Sequence, residues 1–226
     1  KVYKNINTKK KYIESDKIGG DDPYSSSKGA ADIITNSYKF LLEKKGHKII
    51  IARAGNVIGG GDFSDDRIIP DLIKSLKLKK KLILRQPNST RPWQHVIEII
   101  YGYLTLSKYL YLDKKCKLEI LNFGPKKNFT FKVIDIVKEA KKYVNFEYQI
   151  YKSKPNFKES KLLKLNSLKA HNKIGWKSVL SFKDTIKYTM EWYKTSFSNL
   201  SKDIKKITND QINKYYKKNK IKINEI

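Results

Sequence analysis

Tyr24 and Lys28 stand four residues apart in the run Asp22-Pro23-Tyr24-Ser25-Ser26-Ser27-Lys28. On a helix that spacing places the phenol and the ammonium on one face, about one turn apart. A free tyrosine titrates near ~10 and is a poor base at neutral pH. A cation held beside it favours the phenolate and lowers that pKa, as general-base removal of a hydroxyl proton requires. The spacing alone is not diagnostic, because the chain carries 15 tyrosines and 49 basic residues. Its neighbours must decide.

The elements around the pair read as alternating α and β. Residues 1–22 form a polar, irregular loop ending in Gly19-Gly20-Asp21-Asp22-Pro23. Ala30, Ile33, Ile34, Tyr38, Leu41 and Leu42 follow at helical spacing, with Gly46 as the stop. Residues 48–53 are a short apolar strand of the kind buried in a parallel sheet, so helix and strand make half of a βαβ crossover. A glycine-rich loop covers 55–66, and a helix with Pro70 in its first turn covers 68–77. Further strands are expected at 82–85, 91–96, 119–123, 148–151 and 163–165. Helices are expected at 97–112, from Thr130 to about 144, from Ser167, and from a Ser181/Asp184 capping box through Trp192. The tail from Ser201 is lysine- and asparagine-rich and is expected to fray.

Bulk properties narrow the function classes. The chain has 226 residues, 39% of them hydrophobic and 12% aromatic, which suits a globular α/β protein. No apolar run reaches bilayer length and no signal peptide is evident, so the cytoplasm is the default and no membrane partner is expected. The single cysteine, Cys116, cannot form an internal disulfide or a cysteine-based zinc site, and no metal is expected. The net charge of +27 invites a nucleic-acid reading. Only Arg53, Arg67, Arg85 and Arg91 are arginines, however, and the remaining basic residues are lysines spread along the chain. Phosphate and base readers lean on arginine's rigid fork, so the lysine runs read as solvated surface and nucleic acid is not the expected partner.

Separate strings then fall into register: Tyr24-x-x-x-Lys28, Arg53-Ala54-Gly55-Asn56-Val57-Ile58-Gly59-Gly60-Gly61-Asp62, Asp66-Arg67-Ile68-Ile69-Pro70, Arg91-Pro92-Trp93-Gln94-His95-Val96, Asn122-Phe123-Gly124-Pro125 and Gly175-Trp176. Their order and spacing resemble the extended short-chain dehydrogenase/reductase superfamily in its nucleotide-sugar branch. Within it the arginine-glycine-asparagine and Arg-Pro-Trp-Gln-His strings look most like the CDP-glucose 4,6-dehydratases. The likeness runs from Lys1 to about Trp192. It implies the C-terminal half of a Rossmann-type parallel sheet plus a smaller mixed α/β substrate lobe. Residues 1–66 would complete an NAD-binding domain, 67–200 would form the substrate lobe with some return to the sheet, and 201–226 would be a lysine-rich tail.

The resemblance also implies roles. Tyr24 is the base and Lys28 its partner, both beside the nicotinamide ribose of NAD. Arg53 is the third cofactor residue, with a salt bridge at a strand end as its alternative. Asn56, Arg67 and Arg91 contact the nucleotide-sugar diphosphate or sugar. Lys1 assists deprotonation of the sugar's C5. His95 reads as structural, and Trp93, Trp176 and Trp192 as core. The family's glycine fingerprint and its threonine-x-aspartate precede the position of Lys1, so about a hundred further residues are expected upstream. The 226 residues alone are therefore expected to show little or no turnover. The implied reaction converts CDP-glucose to CDP-4-keto-6-deoxyglucose and water, feeding deoxysugar synthesis for surface polysaccharide, and the full-length enzyme is expected to be a homodimer. Alternatives are a 4-epimerase, a dehydratase for a dTDP- or GDP-sugar, and, more remotely, a non-catalytic polyanion-binding module.

Overall fold

The computed structural model describes residues 2–6, 8–113, 119–125, 130–151, 162–197 and 201–220. Lys1, Cys116 and the last six residues lie outside that set. Helix α1 (Pro23–Ser37) starts where Asp22 caps it: one carboxylate oxygen accepts from Ser25 N at 2.8 Å and the other from the Ser25 hydroxyl at 2.6 Å. Pro23 suits the first turn, where no N–H is needed. The expected single helix is interrupted at Tyr38, and α2 (Lys39–Lys44) continues it. Ser37 sits at the break with its hydroxyl bonded to Ile34 O, a local bond that competes with helix continuation.

Periodicity had marked Ile33 and Ile34 as the packing face of α1. They are 60% and 56% exposed, and the buried positions are Ser25, Gly29 and Asp32. Two contacts override the apolar stripe. Gly29 lies so close to the Gly19 backbone that a Cβ would come within 3.0 Å of it. Asp32 is drawn inward by an arginine described below.

Strand β1 (Ile50–Ala54) runs directly through Gly55 into β2 (Asn56–Ile58). After α3 (Ile68–Lys77) and β3 (Leu82–Leu84), the anticipated strand at 91–96 is split by Pro92 into β4 (Thr90–Arg91) and β5 (Trp93–His95), since proline cannot donate to a ladder. Helix α4 (Val96–Leu112) leads to β6 (Glu119–Phe123), which pairs in parallel with β1 from Ile50↔Glu119 to Ala54↔Phe123. β2 and β5 also pair in parallel, Asn56 facing Trp93. This is the Rossmann-type portion, with Leu121, Phe123, Ile99 and Trp176 packed on one side.

The second lobe contains β7 (Phe131–Lys132), α5 (Val133–Ala140) and β8 (Tyr148–Ile150), with β3–β8 parallel and β4–β7 antiparallel. Thr130 does not cap α5. The helix begins three residues later, where the Asp135 carboxylate accepts from Lys132 N at 2.8 Å. Ile69, Leu72, Ile73, Ile136, Val137, Ile186 and Met190 form its core. Of the strand expected at 163–165, only a single bridge from Leu165 to Tyr12 forms. Ser167 precedes α6 (Leu168–Ile174), but its hydroxyl accepts from Gly124 N at 2.7 Å, and the side chain of Asn166 caps the helix instead. The Ser181/Asp184 capping box opens α7 (Phe182–Ser196) as read.

The tail is corrected most. It forms α8 (Ser201–Asn219), which packs along α7 with Tyr215 fully buried and Gln211 donating to Tyr188 O at 2.8 Å. Its lysine-rich composition hid a sparse buried stripe that needs α7 to cover it. No helix among the described residues is long and apolar enough to cross a membrane.

Candidate active site

Asp32, in the second half of α1, meets Arg53 near the carboxyl end of β1, the end of a strand where open parallel sheets bind ligands. Tyr24, in the first turn of α1, is 59% exposed, and the Lys28 ammonium lies 5.8 Å from its ring centroid. Asn56 opens β2 immediately past the carboxyl end of β1. It is half-buried.

Arg53 is positioned differently from its expected cofactor role. Nε and Nη2 donate to the two Asp32 oxygens at 2.8 and 2.9 Å, while Nη1 donates to the Tyr3 hydroxyl and Glu14 O, both at 2.9 Å. Both ends of the ion pair are 6% exposed. With its fork closed on Asp32, the guanidinium is a strut between α1 and β1 and presents no bidentate face to a phosphate. Burial works against its charge, but the bonds to Asp32 and Tyr3 outweigh it and raise the arginine pKa.

The same strut orders the N-terminal loop, which the sequence read as irregular. The Tyr3 hydroxyl donates to Asn122 Oδ1 at 2.6 Å, Asn122 Nδ2 donates to Tyr12 O, and Asn122 N donates to Glu14 Oε1. Tyr3 and Tyr12 stack at 5.1 Å. Burial pushes the Tyr3 phenol above its ordinary pKa, so it remains a proton donor in this network. Asp32, Glu14, Asn122 and Tyr3 were missed as site-building residues. No local sequence signal announced them, since the face of α1 that carries Asp32 is polar and its partners lie 21 or more residues away.

The remaining arginines separate. Arg67 precedes α3 with its side chain 62% exposed and pairs with Asp62 at 3.0 Å. Arg91 is buried in β4, where Nη1 donates to Thr90 O at 2.9 Å. Arg85 pairs with Asp66 at the surface. His95 is structural: Nδ1 accepts from Ile97 N, the ring stands edge-on to Tyr188, and burial lowers its pKa to about 4. Beside it, Gln94 is fully buried with neither amide atom bonded among the described residues. Trp176 is core, its Nε1 donating to Glu98 O. Lys1, the expected C5-side residue, lies outside the described residues. No cluster of metal-ligating side chains occurs among those described.

Parallel strand pairs alternating with helices give the fold class of the short-chain dehydrogenase/reductases, an α/β architecture of Rossmann type. The chain belongs to the GDP-mannose 4,6 dehydratase family, whose model matches residues 2–189. It is 34% identical over 190 residues to the CDP-glucose 4,6-dehydratase of Salmonella typhimurium, covering 81% of this chain and 53% of that protein. The human dTDP-D-glucose 4,6-dehydratase is 27% identical over 198 residues, covering 84% and 53% respectively. The chain spans about half the length of these curated relatives. Among solved structures, a Bacillus anthracis dTDP-glucose 4,6-dehydratase in complex with NAD superposes with a TM-score of 0.70 at 22% identity, covering 87% of this chain and 60% of that one. A Bacillus cereus UDP-glucuronic acid 4-epimerase gives 0.71 at 21%, covering 85% and 58%.

Proposed function

We propose that this chain supplies the proton-handling and substrate-facing half of an NAD-dependent CDP-glucose 4,6-dehydratase. The carrying observation is the Tyr24–Lys28 pair, both exposed at the start of α1 with the ammonium 5.8 Å from the phenol ring, in a chain 34% identical to such an enzyme. The pair fits a bound nicotinamide ribose, because both residues are exposed and lie within reach of one ligand. When bound there, NAD would supply a reversible hydride acceptor for the sugar, with Tyr24 and Lys28 holding its nicotinamide ribose.

Tyr24, as phenolate, takes the 4-hydroxyl proton and becomes neutral; Lys28 favours that phenolate before the transfer and would hold the ribose. The 4-ketone acidifies the C5–H bond. Loss of the C5 proton and of the 6-hydroxyl then releases one water, and the product is CDP-4-keto-6-deoxyglucose. Lys1 is proposed on the C5 side. Asn56, Arg67 and Arg91 are proposed for the diphosphate and sugar, and Arg53 acts by holding α1, and with it Tyr24, against β1. In this reading residues 1–66 complete the cofactor domain and 67–200 form the substrate lobe.

In the full-length protein, Tyr24→Phe is expected to lower turnover of CDP-glucose by at least ~100-fold while CDP binding is retained. Retained turnover would refute the base assignment. A C4 epimer in place of a 6-deoxy-4-keto product would point to an epimerase, and preferential turnover of dTDP-glucose would reassign the base specificity.

A further inference from the structure

The 59–62 loop carries three glycines followed by Asp62, the residue that pairs with Arg67. Such a segment has maximal backbone freedom, and ordering it at the moment of binding costs conformational entropy. The structure braces it from the far end of the chain. The Trp192 indole packs directly against Gly60, where any Cβ would fall 2.0 Å from Cδ2. The adjacent Tyr193 ring stands edge-on to Trp192 at 5.4 Å, and its hydroxyl donates to Asp62 O. Trp192 Nε1 in turn donates to Thr208 Oγ1 on α8 at 3.0 Å, and that hydroxyl donates onward to Ile204 O at 2.8 Å. α8 has its own anchors in Gln211 to Tyr188 O, Lys218 to Asp184 and the buried Tyr215. It also lies beyond the residues that the family model matches.

We propose that α8 is a positioning element for the substrate loop: Thr208 fixes the plane of Trp192, which with Tyr193 pre-orders the 59–62 backbone and so sets Asp62 and Arg67. This inference rests on the reading of Arg67 as a diphosphate contact, although the bracing itself can be tested without it. A pre-ordered loop lowers the cost of binding and leaves the chemical step alone. The burden of losing it therefore falls on KM.

Thr208→Val keeps the shape and removes the hydroxyl, whereas Thr208→Ser keeps the hydroxyl. In the full-length protein, Thr208→Val is expected to raise KM for CDP-glucose and Kd for CDP by about 3- to 10-fold, the equivalent of one neutral hydrogen bond. The kcat should change less than 2-fold, and Thr208→Ser should restore KM. Amide hydrogen exchange at residues 60–64 should accelerate by a similar factor in Thr208→Val, a readout needing no turnover. Gly60→Ala, which displaces the indole directly, should reproduce both effects. Faster exchange confined to α8, with the loop amides unchanged, would overturn the proposal. Faster loop exchange with KM and Kd unchanged would uphold the brace and refute Arg67 as a substrate contact. Loop exchange, KM and Kd all unchanged would refute the brace and leave the reading of Arg67 untouched.

Discussion

Asp32→Asn tests the strut on which the placement of Tyr24 depends. The change preserves shape and removes one charge of a pair that is 6% exposed at both ends. Arg53 then keeps its bonds to Tyr3 and Glu14 O, but one of its two bonds to residue 32 becomes a donor facing a donor. Removing one partner of a buried pair costs about 3–5 kcal/mol, and the surviving bonds place this case near the lower figure. With a urea m-value of about 3 kcal/mol per molar, the unfolding midpoint should fall by about 1 M. Circular dichroism during urea titration of Asp32→Asn, Arg53→Met and the double variant gives the measurement. The double variant should recover part of the loss, because no unpaired buried charge remains. A midpoint within 0.2 M of the parent for Asp32→Asn would refute the strut. If Arg53→Met abolished NAD binding in folded protein while Asp32→Asn did not, Arg53 would instead be a cofactor ligand.

His95 is buried neutral with its pKa lowered from 6.5 to about 4. The unfolded chain therefore binds its proton first, and up to about 3 kcal/mol of stability present above pH 6.5 is lost as pH falls toward 4. His95→Asn, which keeps a helix-capping side chain, should flatten that slope, as urea titrations at pH 7.5, 6 and 5 would show; an unchanged slope contradicts the burial argument. Gly29→Ala should destabilise by about 1–3 kcal/mol despite better helix propensity, since its Cβ meets the Gly19 backbone at 3.0 Å; a rise in thermal midpoint would deny the close approach. Tyr215→Phe should be neutral or stabilising by about 1 kcal/mol, because the fully buried hydroxyl has no bonding partner among the described residues. A clear loss of stability would reveal a partner for it.

Where local chemistry is decisive, the sequence alone determined the outcome. α3 spans the anticipated residues because Pro70 in the first turn and a dense apolar stripe leave few alternatives. The capping box at Ser181 and Asp184 and the strand at 119–123 are local in the same sense. The Tyr24–Lys28 pair was legible because four residues on a helix fix a shared face. Tertiary structure alone decided which face of α1 packs, since burying Ser25, Gly29 and Asp32 pays only when Gly19 and Arg53 are brought against them. It also turned Arg53 from an apparent phosphate fork into a strut, because its partners sit 21, 39 and 50 residues away in sequence. The tail became a helix for the same reason. Its buried residues, Gln211 and Tyr215, are too sparse to announce a helix, and they gain their stability only from contacts that α7 and the neighbouring Tyr101 provide.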